Sequence, residues 1–254
     1  MNWDYVSNGQ VVCSVGLKRL WANTYGITLL GMEEKVDESI WSGLLQQARD
    51  HWIKEGGSKL ILRNEHKGHF KVIEPFLKQS GFKFVLERIE FRTLLTELPT
   101  EEGTPLTWKS LAEVKWSKDQ IVETIRSISI GDPEYDPNED VAGYMEDWLN
   151  HPELTAGESC IRFGFNGEGL VGMVVAQVDP KTGWSRLSYM AVHPAWRNKK
   201  MGRWVHRHGF QALRDQGGIL YHGGTSSLNQ SMRGLFVSSG CQVFRVLDEW
   251  HLDK

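Results

Sequence analysis

Residues 197–203, Arg-Asn-Lys-Lys-Met-Gly-Arg, put Arg197, Lys199, Lys200 and Arg203 on one short stretch with a single glycine. An apolar run from Leu187 to Val192 precedes them. It reads as a strand and is stopped by Pro194, which has no amide to give a sheet ladder. An amphipathic helix is expected from Met201 or Gly202 to about Gln216. A basic loop at a helix N-terminus can hold a phosphate. The unpaired first-turn amides and the positive end of the helix dipole both point at an anion. A plain strand-to-helix connection with solvated lysines has the same local pattern, so the loop needs support from elsewhere in the chain.

Metal chemistry finds little support among the nine histidines. His206 and His208 are two apart on the expected helix and so diverge. His66 and His69 flank a glycine in an expected loop. Neither pair is completed by HExxH or paired-cysteine spacing, and both are read as surface or packing residues. Cys13, Cys160 and Cys241 are odd in number and without CxxC spacing, which points to a reducing compartment and to no metal site. No run approaches the ~18 apolar residues of a membrane helix. The N-terminus has no charged-then-apolar signal pattern. A cytoplasmic location is expected. The net charge of −3, with 40% hydrophobic and 24% charged residues among 254, describes a globular chain without a global basic field. Nucleic acid and membrane are therefore not expected partners.

The elements that must carry the loop can be read in order. A buried strand is expected over Gly26–Met32, with a weaker one over 9–15. Trp41, Leu44, Leu45, Ala48 and Trp52 form one helical stripe within 37–55, ended by Gly56-Gly57. Strand 59–63, a Pro75-interrupted helix 70–79 and strand 82–95 follow. Residues 99–105 are polar, acidic and turn-rich, and read as a linker between domains 1–98 and 106–254. Beyond it come a short strand, helices 117–130 and 139–149 around a Gly-Asp-Pro loop, and a hairpin turned at Asn166-Gly167. Strand 184–192, the basic loop and its helix, strand 219–222, helix 230–238 and strand 242–252 complete the chain. The class is α/β, with an α+β mixed sheet.

Aligning Gly81 with Gly240 brings Ser80 onto Ser239, Leu77 onto Phe236, Glu90 onto Glu249 and Phe91 onto Trp250. Leu60-Ile61-Leu62 then meets Ile219-Leu220-Tyr221. Each copy runs helix, Gly-Gly, strand, helix, Ser-Gly, strand. The halves read as diverged copies of one α/β unit.

With these residues assembled, the second half resembles the GNAT (Gcn5-related) acetyltransferases. One block is Met190-Ala-Val-His-Pro-Ala-Trp-Arg197 with Asn198-Lys-Lys-Met-Gly202. It is similar to the family's Val-x-Pro strand end followed by R/Q-x-x-G-x-G/A. The other is Asn229-Gln-Ser-Met-Arg-Gly-Leu-Phe236-Val-Ser-Ser-Gly240, similar to the family's C-terminal N-x-x-x-x-x-L-Y-x-x-x-G block. Lys200 stands at a usual glycine. Phe236 stands where many members carry a tyrosine that protonates the departing thiolate. The first half matches only as a degenerate copy, as in tandem GNAT proteins. Its Met32-to-Glu38 stretch is acidic, lacks a glycine loop and would repel a pyrophosphate.

The resemblance implies one acyl-CoA per chain, acetyl-CoA by family habit, bound by the second half between two splayed strands. It assigns the pyrophosphate to the amides of Asn198, Lys199, Lys200, Met201, Gly202 and Arg203, with Arg197, Lys199 or Lys200 reaching phosphate oxygens. Met190, Ala191 and Val192 would pair with the pantetheine arm. Asn229 and Phe236 would line its other side, and the Ala191–Val192 amides would face the acyl carbonyl. Asp132, Glu134 and Asp136 lie where the fold recognises an acceptor, here a cation. Strand 184–192 carries no carboxylate base. His222 and Glu249 are candidates for proton removal, and Ser227, Ser231 and Tyr221 for proton donation.

The function expected is acetyl-CoA-dependent N-acetylation of a primary amine on a small molecule by a monomer or homodimer. Amino-containing antibiotics are one acceptor class suggested by the tandem layout, with self-resistance as the role. Protein or peptide N-acetylation and a silent acyl-CoA-binding module are the alternatives.

Overall fold

The computed structural model describes residues 1–21, 23–30, 36–65 and 73–254. Most of the acidic 32–38 stretch, His66, His69 and the start of the expected 70–79 helix lie outside the described residues. Two compact units emerge, residues 1–88 with 245–254, and residues 89–244.

The first unit holds β1 (Asn2–Ser7), β2 (Gln10–Trp21), β3 (Thr24–Leu30), α1 (Glu38–Lys54), β4 (Lys59–Glu65) and α2 (Glu74–Gln79). It shares β5 (Lys83–Leu94) and β11 (Val243–Asp253) with the second unit. Its strands run β1-β2-β3-β4-β11. β1 to β3 form an antiparallel meander, β4 is parallel to β3, and β11 returns antiparallel to β4. The helical stripe of the sequence is its core: Trp41, Leu44, Leu45, Ala48 and Trp52 are buried with Leu60, Leu62 and Trp250. Asp37 caps α1, its carboxylate accepting the Ser39 N–H at 2.8 Å and the Ser39 hydroxyl at 2.7 Å.

The second unit contains β6 (Thr107–Ser110), α3 (Leu111–Val114), α4 (Lys118–Ser129), α5 (Val141–Asn150), β7 (Ile161–Asn166), β8 (Gly169–Val178), β9 (Trp184–Val192), α6 (Gly202–Asp215), β10 (Leu220–Ser226) and α7 (Gln230–Ser238). Its strand order is β5-β10-β9-β8-β7-β6. β8 is buried over Val171–Val178 because helices cover both faces. On one face α4 and α5 pack against Phe163, Met173, Val175, Tyr189 and Ala191. On the other, Val205 of α6 packs with Val171, Val174, Met190 and Val192. Close approach of α6 needs two glycines. A Cβ on Gly172 would come within 2.6 Å of Val205, and one on Gly209 within 2.7 Å of Leu187.

The mixed α/β class and the duplicated order hold. α1, β4 and α2 in the first unit repeat as α6, β10 and α7 in the second. The aligned Gly81 and Gly240 share a left-handed conformation, with φ +87° and +85°.

The division at 98 and 106 is corrected. The sheet neighbour of β4 is β11, from the far end of the chain, and that of β10 is β5. Sequence continuity could not reveal this exchange, because it is a choice of pairing edge. Residues 99–105 are not a free linker either. Arg214 of α6 donates to the carbonyls of Leu95 and Leu98 at 2.7 and 2.6 Å, and Glu101 bonds His208 at 2.6 Å. His208 in turn stacks on Trp108, centroids 3.7 Å apart, so it is a packing histidine.

Arg214→Ala should lower stability by about 2 kcal/mol, since bonds to a charged donor are lost at half-buried carbonyls. It should also open residues 99–105 to limited proteolysis. Denaturant titration and cleavage-site mapping check both outcomes.

Candidate functional site

The site begins with a change in strand pairing. β9 and β10 are parallel neighbours, yet they register only at Leu220↔Trp184 and Tyr221↔Ser185. Beyond those pairs the edge of β9 that faces away from β8 has no ladder partner. Three residues past the last pair, β9 carries an extra residue against β8. Leu187 pairs with Ala176 and Tyr189 with Val175, leaving Ser188 as a bulge. A bulge bends its strand and increases its twist. This one is locked by side chains, the Ser188 hydroxyl bonding to Gln177 and accepting from Arg186 at 2.8 Å. The bend shapes the segment of β9 that no longer pairs with β10.

At the open end of β9 stands the basic loop. Asn198 and Lys200 both adopt left-handed backbone, φ 61° and 60°. Lys200 thus keeps the conformation of the glycine it replaces, at a strain of ~1 kcal/mol. The residue at the N-cap of α6, Met201, makes no side-chain cap bond. Among the described residues, the amides of Asn198 to Arg203 meet no acceptor within hydrogen-bonding distance. A Cβ on Gly202 would touch only Leu235 at 3.6 Å and Val192 at 3.9 Å, so the space over the loop is open. Lys199, Lys200 and Arg203 are exposed beside it. An array of first-turn amides, a helix dipole and exposed cations fits a pyrophosphate. The splayed backbone edges fit an amide-rich arm. α1 offers no such place, because Asp37 already fills its first turn with a carboxylate.

Some expected contacts are corrected. Arg197 does not point a free guanidinium at the loop. It donates to the carbonyls of Val192 (3.0 Å), Ile128 (2.8 Å) and Ile130 (2.5 Å). It satisfies carbonyls at the end of α4 and fixes the exit of β9. Phe236 is 1% exposed and stacks on Phe91 at 4.2 Å, so it belongs to the core and not to a ligand wall. Asn229 uses its side-chain oxygen to cap α7, accepting from Met232 N at 3.1 Å. Met190, Ala191 and Val192 lie on the parted segment of β9, as expected.

The acidic loop before α5 divides in role. Glu134 accepts from the Thr225 hydroxyl at 2.6 Å and from Ser226 N at 2.8 Å, tying the loop to the end of β10. Asp136 closes a local turn on Asn138 N. Asp132 is the one whose carboxyl burial pushes above its ordinary range, opposed by the Glu134 N–H it accepts. Tyr189 stands on this face, its hydroxyl bonded to Ser129 and its ionisation pushed up to about 12 by burial.

Of the proton-transfer candidates, Ser231 is exposed and Ser227 sits half-buried in the turn after β10. Glu249 is corrected. It lies in the first unit, where its oxygens meet Arg63 at 2.5 Å and His251 at 2.8 Å. Burial opposes its charge, but the His251 bond and the Arg63 and Arg88 cations hold it at about 2. His222 is the one the structure equips. It is the first residue of β10 beyond the paired segment, and its Nε2 lies 3.2 Å from Glu90 Oε2. Tyr221 packs on α6 and α7, so alternation turns His222 to the α4/α5 face. Glu90 was missed in the sequence, where it entered only as the repeat mate of Glu249. Among the described residues no group of three or more His, Cys, Asp or Glu side chains could hold a metal ion. No described helix is long and apolar enough to cross a membrane.

Comparison with known proteins agrees with this geometry. The model of the acetyltransferase (GNAT) family matches residues 121–240, which span the parted strands, the loop and α7. Residues 121–240 are a GNAT domain. A GCN5-related N-acetyltransferase from Sphaerobacter thermophilus superposes with a TM-score of 0.65 at 12% identity, covering 97% of this chain and 78% of that one. A tandem GNAT protein from the clavulanic acid biosynthesis pathway gives 0.60 at 14% identity, covering 99% and 82%. A GCN5-related N-acetyltransferase from Kribbella flavida gives 0.60 at 11%, covering 89% and 80%. At these identities the likeness is one of fold, and it extends over both GNAT-like units. By sequence, no curated protein matches the chain.

Two measurements check these assignments. Gly202→Glu puts a carboxylate among the loop amides, and CoA affinity measured by calorimetry should fall at least tenfold with the fold intact. Glu249 contributes stability that is present above the unfolded carboxyl value of 4.5 and lost as pH falls toward about 2. Acid titration of the wild type should therefore show a loss of about 3 kcal/mol across that window that Glu249→Gln lacks.

Proposed function

We propose that this protein is an acyl-CoA-dependent N-acyltransferase, using acetyl-CoA, that acylates a primary amine of a small molecule. The observation that carries the reading is the parting of β9 from β10 beside an uncapped, cationic helix N-terminus. The amides of Asn198 to Arg203 would hold the phosphates, with Lys199, Lys200 and Arg203 adding charge. The free edge of Met190, Ala191 and Val192 would pair with the pantetheine arm, and Asn229 would border it. Acyl-CoA supplies an acyl group activated as a thioester. One such site per chain, in the second unit, follows from the Asp37 cap on α1.

His222 would act as the base on the acceptor side. With Nε2–H directed at Glu90, its Nδ1 is the nitrogen that takes a proton from the attacking amine. Glu90 fixes that tautomer and stabilises the imidazolium that results. Asp132, half-enclosed beside Tyr189, is the carboxylate best placed to bind a second positive centre of the acceptor. Glu134 and Asp136 would shape the loop around it. A cationic small molecule fits such a pocket, and an amino-containing antibiotic is one such molecule. The tandem GNAT neighbour belongs to the clavulanic acid pathway, which makes that class worth testing first. We propose action in the cytoplasm, as a monomer or homodimer.

Free-thiol release from acetyl-CoA over a panel of small amines and polyamines tests the reading. Glu90→Gln should lower kcat by ~10-fold and His222→Phe by ~100-fold or more, with KM for acetyl-CoA unchanged. Tight CoA binding with no thiol release across the panel would instead favour a non-catalytic acyl-CoA-binding module.

A further inference from the structure

Past the last pair of β9 and β10, the next residue on each strand carries an ionisable side chain, Arg186 on β9 and His222 on β10. Leu187 meets Gly209 of α6, so alternation turns Arg186 to the opposite face, which His222 also occupies. Asp147 of α5 acts on the guanidinium across that face. Arg186 and His222 are thus neighbours at the closed end of the gap.

Arg186 is held along one edge only. Its Nε donates to the Ser188 hydroxyl at 2.8 Å, and Nη2 reaches Gln177 Oε1 at 3.5 Å. Gln177 is fully buried and is fixed in turn by donating to the Thr155 carbonyl at 3.1 Å. The Nε–Nη2 edge is therefore set. The end-on edge, made by Nη1 and the second Nη2 hydrogen, meets no acceptor among the described residues. Nη1 is open to solvent although the residue is half-buried. Asp147 acts only from beyond ion-pair distance, and burial pulls the guanidinium below its ordinary range. A cation taken partly out of water, with two parallel N–H donors at a gap, is set up for a planar anion.

We propose that Arg186 binds a carboxylate of the acceptor, so that the acylated amine belongs to an amino acid or a similar amino carboxylate. The proposal rests on the N-acyltransferase reading above. Two parallel N–H donors on the end-on edge match the two oxygens of a carboxylate. One guanidinium offsets one negative charge, which favours a carboxylate over a phosphate dianion. With the carboxylate on Arg186, an amine on the same or the next carbon is brought to His222 on the adjoining strand. Arg186 thereby selects which amine of the acceptor meets the base, and Asp132 remains for a further positive centre. β9 carries no carboxylate of its own, and a guanidinium occupies this face of it instead. The bulge gains a second role, since the Ser188 that bends β9 also aims Arg186.

The test is free-thiol release from acetyl-CoA with amino acids, their amides, the decarboxylated amines and aminophosphonates. Each rate is corrected for the free-amine fraction of its acceptor. Wild type should favour amino acids over their amides by about 100-fold in kcat/KM, chiefly through KM. Arg186→Gln should bring that acid-to-amide ratio to within about threefold of unity. Arg186→Lys should leave an intermediate ratio, because it keeps the charge and loses the fork. CoA affinity by calorimetry reports that each variant is folded. Equal kcat/KM for acids and amides in wild type would overturn the proposal and leave the N-acyltransferase reading standing. So would a ratio that Arg186→Gln does not change, or a preference for aminophosphonates over amino acids. Should the variants not fold, the wild-type ratio alone decides. No thiol release with any acceptor, amino acids included, would remove both readings.

Discussion

The bulge at Ser188 is the constraint on which the second unit's function depends. Parallel strands that begin in register stay together unless something bends one of them, because each further pair adds hydrogen bonds. Here an extra residue bends β9 three residues after its second pair with β10, and Gln177 and Arg186 hold it in that state. The buried Gln177 makes the arrangement costly to undo, since a straight β9 would leave it without the Ser188 hydroxyl. Unpaired backbone on β9 is the result, and unpaired backbone is what an extended amide-bearing ligand can use.

Everything around the parted strands is arranged by packing from the two sheet faces. Gly172 and Gly209 let α6 lie close on β8 and β9, which sets its N-terminus at the open end of the gap. Arg197 ties that same end to the last carbonyls of α4, and Glu134 ties the acidic loop to the end of β10. Alternation along β10 then turns consecutive residues to opposite faces. His222 with Glu90 faces the α4/α5 side, and Tyr221 with His206 faces the α6/α7 side. One dipeptide thereby presents an ionisable side chain to each face of the sheet. The described part of the first unit has the same framework with a different helix start. Its α1 begins on a carboxylate cap, and its Glu249 is neutralised by two arginines and a histidine.

Most of the architecture was legible in the chain. The Trp41-to-Trp52 stripe, the hairpin turn beside Gly167 and the basic loop after β9 are local signals whose physics acts within a few residues. The family motifs were legible for the same reason, as was the paired left-handed glycine at 81 and 240. Arg197 shows the limit of such reading. Its position in the motif suggested a phosphate ligand, but a guanidinium binds whatever acceptors are nearest. The carbonyls it found are 67 and 69 residues away. Glu90 gave no local signal, because its partner His222 is distant in the chain.

By itself, then, the sequence determined the two α/β copies and the basic loop that opens a helix in the second. Each of these rests on periodicity, capping and short motifs, which the backbone obeys locally. Only the tertiary structure decided that the terminal strands close each other's units, that Phe236 is core, and that Glu90 serves His222 while Glu249 does not. Strand exchange and side-chain partnership depend on which edges and faces meet across more than a hundred residues, and no local pattern encodes that choice.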